Sequence, residues 1–174
     1  MNMVVILAIV AAALFLYLAL KGKSKDDIFR TFGLDSTSYE LVGTDLGKGH
    51  ARKRISAHGV SGEPDAIFRH KRTGRLIVCE YKSRRWNRRM RPREYFQIVL
   101  YVGISREQFR TDDVIGILAF KDKTLEIEHN PTLCASLIQL RGEVLGSMKS
   151  KKALNSRPLL SRARFPVPFK VERF

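Results

Sequence analysis

Residues 3–20 form an unbroken apolar run of 18 residues, with Tyr17 inside it. As an α-helix this run would rise about 1.5 Å per residue and span roughly 27 Å, close to the thickness of a bilayer core. A cleaved secretory signal would have a basic segment before a shorter apolar core and a small-x-small site after it. Here no Lys or Arg precedes the run, and Lys21, Lys23 and Lys25 follow it directly. Basic residues on that flank favour a cytoplasmic C-terminal side. The expectation is a single-pass transmembrane anchor over 1–20, a linker over 21–27, a folded domain over 28–148 in the cytoplasm and a basic tail over 149–174.

Beyond the run the periodicity changes from one short element to the next. Residues 26–32 have the pattern of one or two helical turns ended by Gly33. Strands are predicted over 39–46 and 52–60, separated by a Gly-Lys-Gly turn at 47–49. Two more are predicted over 65–68 and 76–82, with Thr73-Gly74 as the turn signal between them. Pro92 opens a strongly apolar helix running to about Gly103, the position near a helix start where proline is favoured. A hairpin is predicted over 114–120 and 124–128, then one helix over 131–148 carrying Leu133, Leu137, Ile138 and Leu140. Helices and strands mixed in this order give an α/β domain with a central sheet flanked by helices.

Charge then narrows the choice of partner. The chain has 32 Lys and Arg against 17 Asp and Glu, a net charge of +15. None of these residues lies in the apolar run, so the whole surplus belongs to the rest of the chain and favours a polyanion, either nucleic acid or an acidic lipid surface. The two cysteines, Cys79 and Cys134, have neither metal-type nor redox spacing and read as buried small hydrophobes.

The chemistry concentrates around Gly62-Glu63-Pro64-Asp65 and Cys79-Glu80-Tyr81-Lys82. A hairpin centred between Arg72 and Thr73 places Asp65 opposite Glu80, with Cβ atoms roughly 5 Å apart. Two carboxylates that close repel unless a cation lies between them. A divalent ion with a preference for oxygen ligands, Mg²⁺ or Mn²⁺, meets that need. Glu80 and Lys82 are two apart on one strand and point to the same face. Such a metal can activate water and neutralise charge on a phosphate, and the lysine can position or help deprotonate the water.

These residues resemble the PD-(D/E)XK nuclease superfamily, with Asp65, Glu80 and Lys82 matching its two acids and lysine. Gln97 and Tyr101, four apart on one helix face, resemble the Gln-x-x-x-Tyr pair of its RecB-type branch, which includes exonuclease domains of recombination helicases and CRISPR adaptation nucleases. The resemblance covers roughly residues 39–128. It implies a restriction-endonuclease-like core and hydrolysis of DNA phosphodiester bonds. It also implies Mg²⁺ or Mn²⁺ on Asp65, Glu80 and the Tyr81 backbone carbonyl, with Gln97 and Tyr101 supporting the site or the substrate. Several members carry a four-cysteine iron–sulfur cluster; with two cysteines none is expected here. An upstream ligand common in such sites would come from His50, His58, Asp26, Asp27, Asp35 or Glu40.

Arg84, Arg85, Arg88, Arg89, Arg91 and Arg93 fall in one short window with Trp86 and no acidic residue. They begin two residues after Lys82, at the mouth of the expected site. There the arginines can grip phosphates and Trp86 can stack on a base, while an anionic lipid headgroup is the competing partner. Lys48, Arg52, Lys53 and Arg54 are candidates for a second wall. A different class of protein would be a non-catalytic module of the same fold that tethers DNA to the membrane.

Overall fold

The computed structural model describes residues 24–47 and 51–157. Among them no helix is long and apolar enough to cross a membrane; the expected anchor over 1–20 lies outside them, as do Lys48, His50 and residues 158–174 of the expected tail.

The elements run α1 (Lys25–Phe32), β1 (Tyr39–Thr44), β2 (Ile55–Ala57), β3 (Val60–Gly62), β4 (Ala66–His70), β5 (Leu76–Lys82), α2 (Pro92–Phe109), β6 (Val114–Phe120), β7 (Thr124–Ile127), α3 (Pro131–Gln139) and α4 (Arg141–Ser150). Five strands form one sheet in the order β1-β4-β5-β6-β7, and β2 and β3 make a separate two-stranded ribbon. β5 and β6 are parallel, while β1–β4, β4–β5 and β6–β7 are antiparallel. The parallel pair needs a crossover, and α2 supplies it. The result is a mixed central sheet with helices on both faces.

Period-2 alternation decides which helix covers which face. Ala66, Phe68, Ile77 and Cys79 pack with Ile28, Phe29 and Phe32 of α1. Ile67, Leu76 and Val78 pack with Val102 and Ile104 of α2. By the same parity Glu80 and Lys82 project toward α2. α1 begins earlier than the linker boundary predicts: Ser24 caps it, accepting from the Asp27 N–H while the Asp27 carboxylate accepts from Ser24, a reciprocal capping box. Gly33 ends it in the left-handed region at φ 69°.

Three predicted elements differ from those observed. The strand expected over 52–60 is instead the β2–β3 hairpin. His58 and Gly59 both have positive φ (53° and 70°), as a two-residue type I′ connection requires. α2 runs past Gly103 to Phe109 because that glycine is a packing position and not a stop. A Cβ there would lie 2.3 Å from Cys134 Sγ. The helix expected over 131–148 breaks at Leu140, and the break lets Arg141 Nε donate to the Gly59 carbonyl at 2.8 Å. Gly142 and Gly146 weaken the helix beyond it by roughly 1 kcal/mol each relative to alanine. Cys79 and Cys134 are both buried and unpaired, as expected of small core residues.

Gly116 sets the distance between α2 and the sheet. A Cβ there would lie 2.6 Å from Ile98 Cγ1 and 3.0 Å from Val102 Cγ2. Gly116→Ala is expected to cost about 1–3 kcal/mol through overpacking, read as a fall in the urea midpoint of the full-length protein. An unchanged midpoint would show that α2 can move off β6 freely.

Candidate active site at the end of β5

The β4–β5 register pairs Ala66 with Cys79, Ile67 with Val78 and Phe68 with Ile77. Continued by one residue it sets Asp65 opposite Glu80, as the turn centre predicts. Asp65 is fixed through its backbone. Its carbonyl accepts from the Thr44 hydroxyl at 2.6 Å and from the Asp45 N–H at 3.0 Å. Thr44 is itself buried, its N–H donating to the Ala51 carbonyl and its hydroxyl accepting from the Leu46 N–H. One Asp65 carboxylate oxygen, Oδ2, accepts from the Tyr81 N–H at 2.6 Å. The acid therefore stays at the strand end and reaches across to the partner strand.

Glu80 is only 7% exposed. Lys82 Nζ donates to Glu80 Oε1 at 2.8 Å and to Gln97 Oε1 at 3.0 Å. Gln97 Nε2 in turn donates to the Tyr101 hydroxyl at 3.1 Å, and that hydroxyl donates to the Glu63 carbonyl at 3.5 Å. A polar chain thus runs from Glu80 through Lys82, Gln97 and Tyr101 to the backbone just before Asp65. Gly62 makes room for its last member, since a Cβ there would lie 2.4 Å from Tyr101 Cε1. Burial pushes the Glu80 carboxyl above its ordinary range; the bond from Lys82 opposes this and the charge of Asp65 adds to it, with a net rise. Burial, with the charges of Glu80 and Asp65, likewise raises the Tyr101 phenol and keeps it neutral as a donor.

Beside this chain opens a cleft of about 450 Å³, lined by Tyr81, Lys82, Arg84, Arg91, Arg93 and Gln97, among others. Arg85, Arg88, Arg89, Arg91 and Arg93 are exposed. Two members of the window also have partners within the protein. Trp86 is half-buried, its ring centroid 4.8 Å from that of Phe120 and its N–H donating to Asp122, so one face of the indole is already used by the protein. Arg84 is paired with Glu94, an acid just outside the window. In the expected second wall, Arg52 pairs with Asp45 and Arg54 donates to Ser61.

Among the described residues, no three or more His, Cys, Asp or Glu side chains converge as a metal cluster. The five described candidates for an upstream ligand do not complete one with Asp65 and Glu80. Asp27 caps α1, Glu40 pairs with Arg69, and Asp35 accepts from Thr37 and Ser38, bonds that lower its carboxyl to about 2. Asp26 is exposed in the first turn of α1, and His58 is exposed in the β2–β3 turn. The available anionic donors are therefore Asp65 and Glu80. Their chemistry fits a divalent cation: one is buried, its charge disfavoured by the other, and a Mg²⁺ site can be filled out by waters. Thr44 and Glu94 are the site residues that the sequence did not mark. A threonine at a strand end and a glutamate in a first helical turn are ordinary in those places.

No protein-family model matches this chain, and no curated protein matches it. Among solved structures it is similar to the crystal structure of SSO0001, at 20% identity and a TM-score of 0.38, with 80% of this chain and 60% of that chain covered. The chain thus spans less than two thirds of that protein.

Glu80 carries a measurable sign. A carboxyl raised on folding costs the native state nothing below its ordinary value and exerts its full penalty above its raised one. Without metal, Glu80→Gln is therefore expected to raise the unfolding midpoint at about pH 8, with the gain disappearing at about pH 4. Midpoints in EDTA at the two pH values check this, and a lowered midpoint at the higher pH would refute the assignment of strain to Glu80.

Proposed function

We propose that this chain is a membrane-anchored, metal-dependent nuclease with a restriction-endonuclease-like core of the PD-(D/E)XK kind, hydrolysing phosphodiester bonds of DNA. The observation that carries the reading is the convergence of Asp65, Glu80, Lys82 and Gln97 at one strand end beside an arginine-lined cleft. A structural ion pair explains Glu80 and Lys82 alone. It does not explain a second acid opposite it on the neighbouring strand, whose charge makes that of buried Glu80 less favourable.

Asp65, Glu80 and the Tyr81 carbonyl would hold Mg²⁺ or Mn²⁺, which when bound supplies an acidified water and neutralises charge on the phosphate. Lys82 is placed to orient the attacking water and to lend its charge to the oxygens that become more negative as the bond breaks. Gln97 holds Lys82 from the other side, so the ammonium keeps its direction when Glu80 is engaged elsewhere. Tyr101 fixes Gln97. The exposed arginines at the cleft draw in the strand by its phosphates, a contact independent of base sequence. The apolar run at 3–20 with Lys21, Lys23 and Lys25 behind it supports an anchor that holds this domain at the cytoplasmic face. A module of the same fold that only tethers DNA is the second reading, favoured by the lack of a third acidic or histidine ligand among the described residues.

The two readings separate in one assay. Full-length protein in detergent is incubated with linear and circular DNA in Mg²⁺, Mn²⁺ or EDTA. Metal-dependent cutting is expected, reduced about 10²-fold or more in Lys82→Ala and abolished in Asp65→Ala, with unfolding midpoints showing both variants folded. Retention of DNA without cutting, independent of metal and unaffected by Lys82→Ala, would replace the nuclease with the tether.

A further inference from the structure

The arginine window contains one residue unlike the others. Arg84 is largely withdrawn from solvent, with its side chain 22% exposed and that of its partner Glu94 4% exposed. Its guanidinium makes a two-pronged contact with Glu94, Nε to Oε1 at 3.2 Å and Nη2 to Oε2 at 2.7 Å. The remaining donors turn back into the loop that follows. Nη1 donates to the Arg85 carbonyl and to Asn87 Oδ1, and Nη2 donates to the Arg89 carbonyl. The guanidinium carbon, Cζ, lies over the Phe120 ring, 4.6 Å from its centroid. On the other side, Glu94 Oε2 accepts from the Arg91 N–H at 3.0 Å and so caps α2. Between these ties Arg88 sits at φ 61°, a left-handed conformation that is unfavourable for an L-residue other than glycine and persists only where the surroundings impose it.

On the nucleic-acid reading above, we infer that Arg84 does not grip phosphate. It is a positioning residue which, with Glu94, folds the loop from Arg85 to Arg91 and thereby sets the directions of the exposed arginines at the cleft. Its geometry supports this. Five N–H donors in a planar fork suit a site where one side chain must hold a carboxylate and several backbone carbonyls at once. A phosphate contact needs an exposed charge, and this one is already neutralised by a buried acid. Lysine cannot replace the fork, although it can replace a phosphate-binding charge.

Two conservative variants of the full-length protein test this: Arg84→Lys, which keeps the charge, and Glu94→Gln, which keeps one acceptor for the Arg91 N–H. Bulk electrostatics predicts that Glu94→Gln, by removing a negative charge near the cleft, tightens binding of a labelled DNA duplex in EDTA. The positioning role predicts the opposite sign: both variants weaken binding by about tenfold and lower the salt slope by roughly 1 or more as outer phosphate contacts are lost. Cutting assays are expected to show the loss in KM, with kcat within about threefold of native, because the ammonium and carboxylates of the site are untouched. Limited trypsin digestion reads loop order without reference to DNA, and cleavage after Arg85, Arg88 and Arg89 is expected to speed up in both variants while the unfolding midpoint of the core stays close to native. Tighter binding in Glu94→Gln, native-like binding in Arg84→Lys or unchanged trypsin cleavage would each overturn the inference. A native protein that does not bind DNA, with faster trypsin cleavage in the variants, would overturn the role at the cleft and the reading it rests on, leaving the loop scaffold alone.

Discussion

A buried carboxylate faces a second one at the end of an apolar strand, and most of the surrounding architecture answers to that pair. Leu76, Ile77, Val78 and Cys79 are all buried, so β5 carries its side chains out of water and delivers Glu80 while still in the core. Pairing with β4 then brings Asp65 to the same level. Neither strand has an apolar reason to do this. The repulsion is tolerated because Lys82 lies two residues on, and because Gln97, from a helix packed closely over Gly116, keeps that lysine from swinging away. Like charge, counter-charge and a neutral orienting amide come from three elements and meet at one strand end.

The same arrangement separates stability from chemistry. The two cores on either face of the sheet are ordinary aliphatic and aromatic packing. Within the polar chain, burial makes the Glu80 charge costly, as it often is for groups arranged to meet a reacting partner. Along the cleft a second division is visible. A bidentate, largely buried pair holds the backbone, and the solvated cations around it are left to meet another molecule.

Much of this was legible in the sequence because it rests on short-range geometry. A hairpin has a centre, and once Thr73-Gly74 marks it, the opposition of residues 65 and 80 follows by counting. Glu80 and Lys82 share a face by strand parity, Gln97 and Tyr101 by helical spacing. What could not be read depends on contacts distant in sequence. Gly103 looks like a helix stop until Cys134 is known to sit against it. Residues 52–60 look like one strand, since the positive φ of His58 comes at a residue that does not announce it. The contact of Trp86 with Phe120 was not legible because the two lie 34 residues apart. The arginine window seemed unpaired because its acid falls one position beyond it, and nothing in the order of residues says that Arg84 alone turns inward.

The placement of α1 has a consequence for approach. α1 lies on one face of the sheet, against Phe68 and Ile77, while the carboxylates, Lys82 and the arginine cleft lie toward the other, under α2. The sheet therefore stands between α1 and the polar chain: a molecule entering the cleft approaches from the α2 side and meets no side chain of α1.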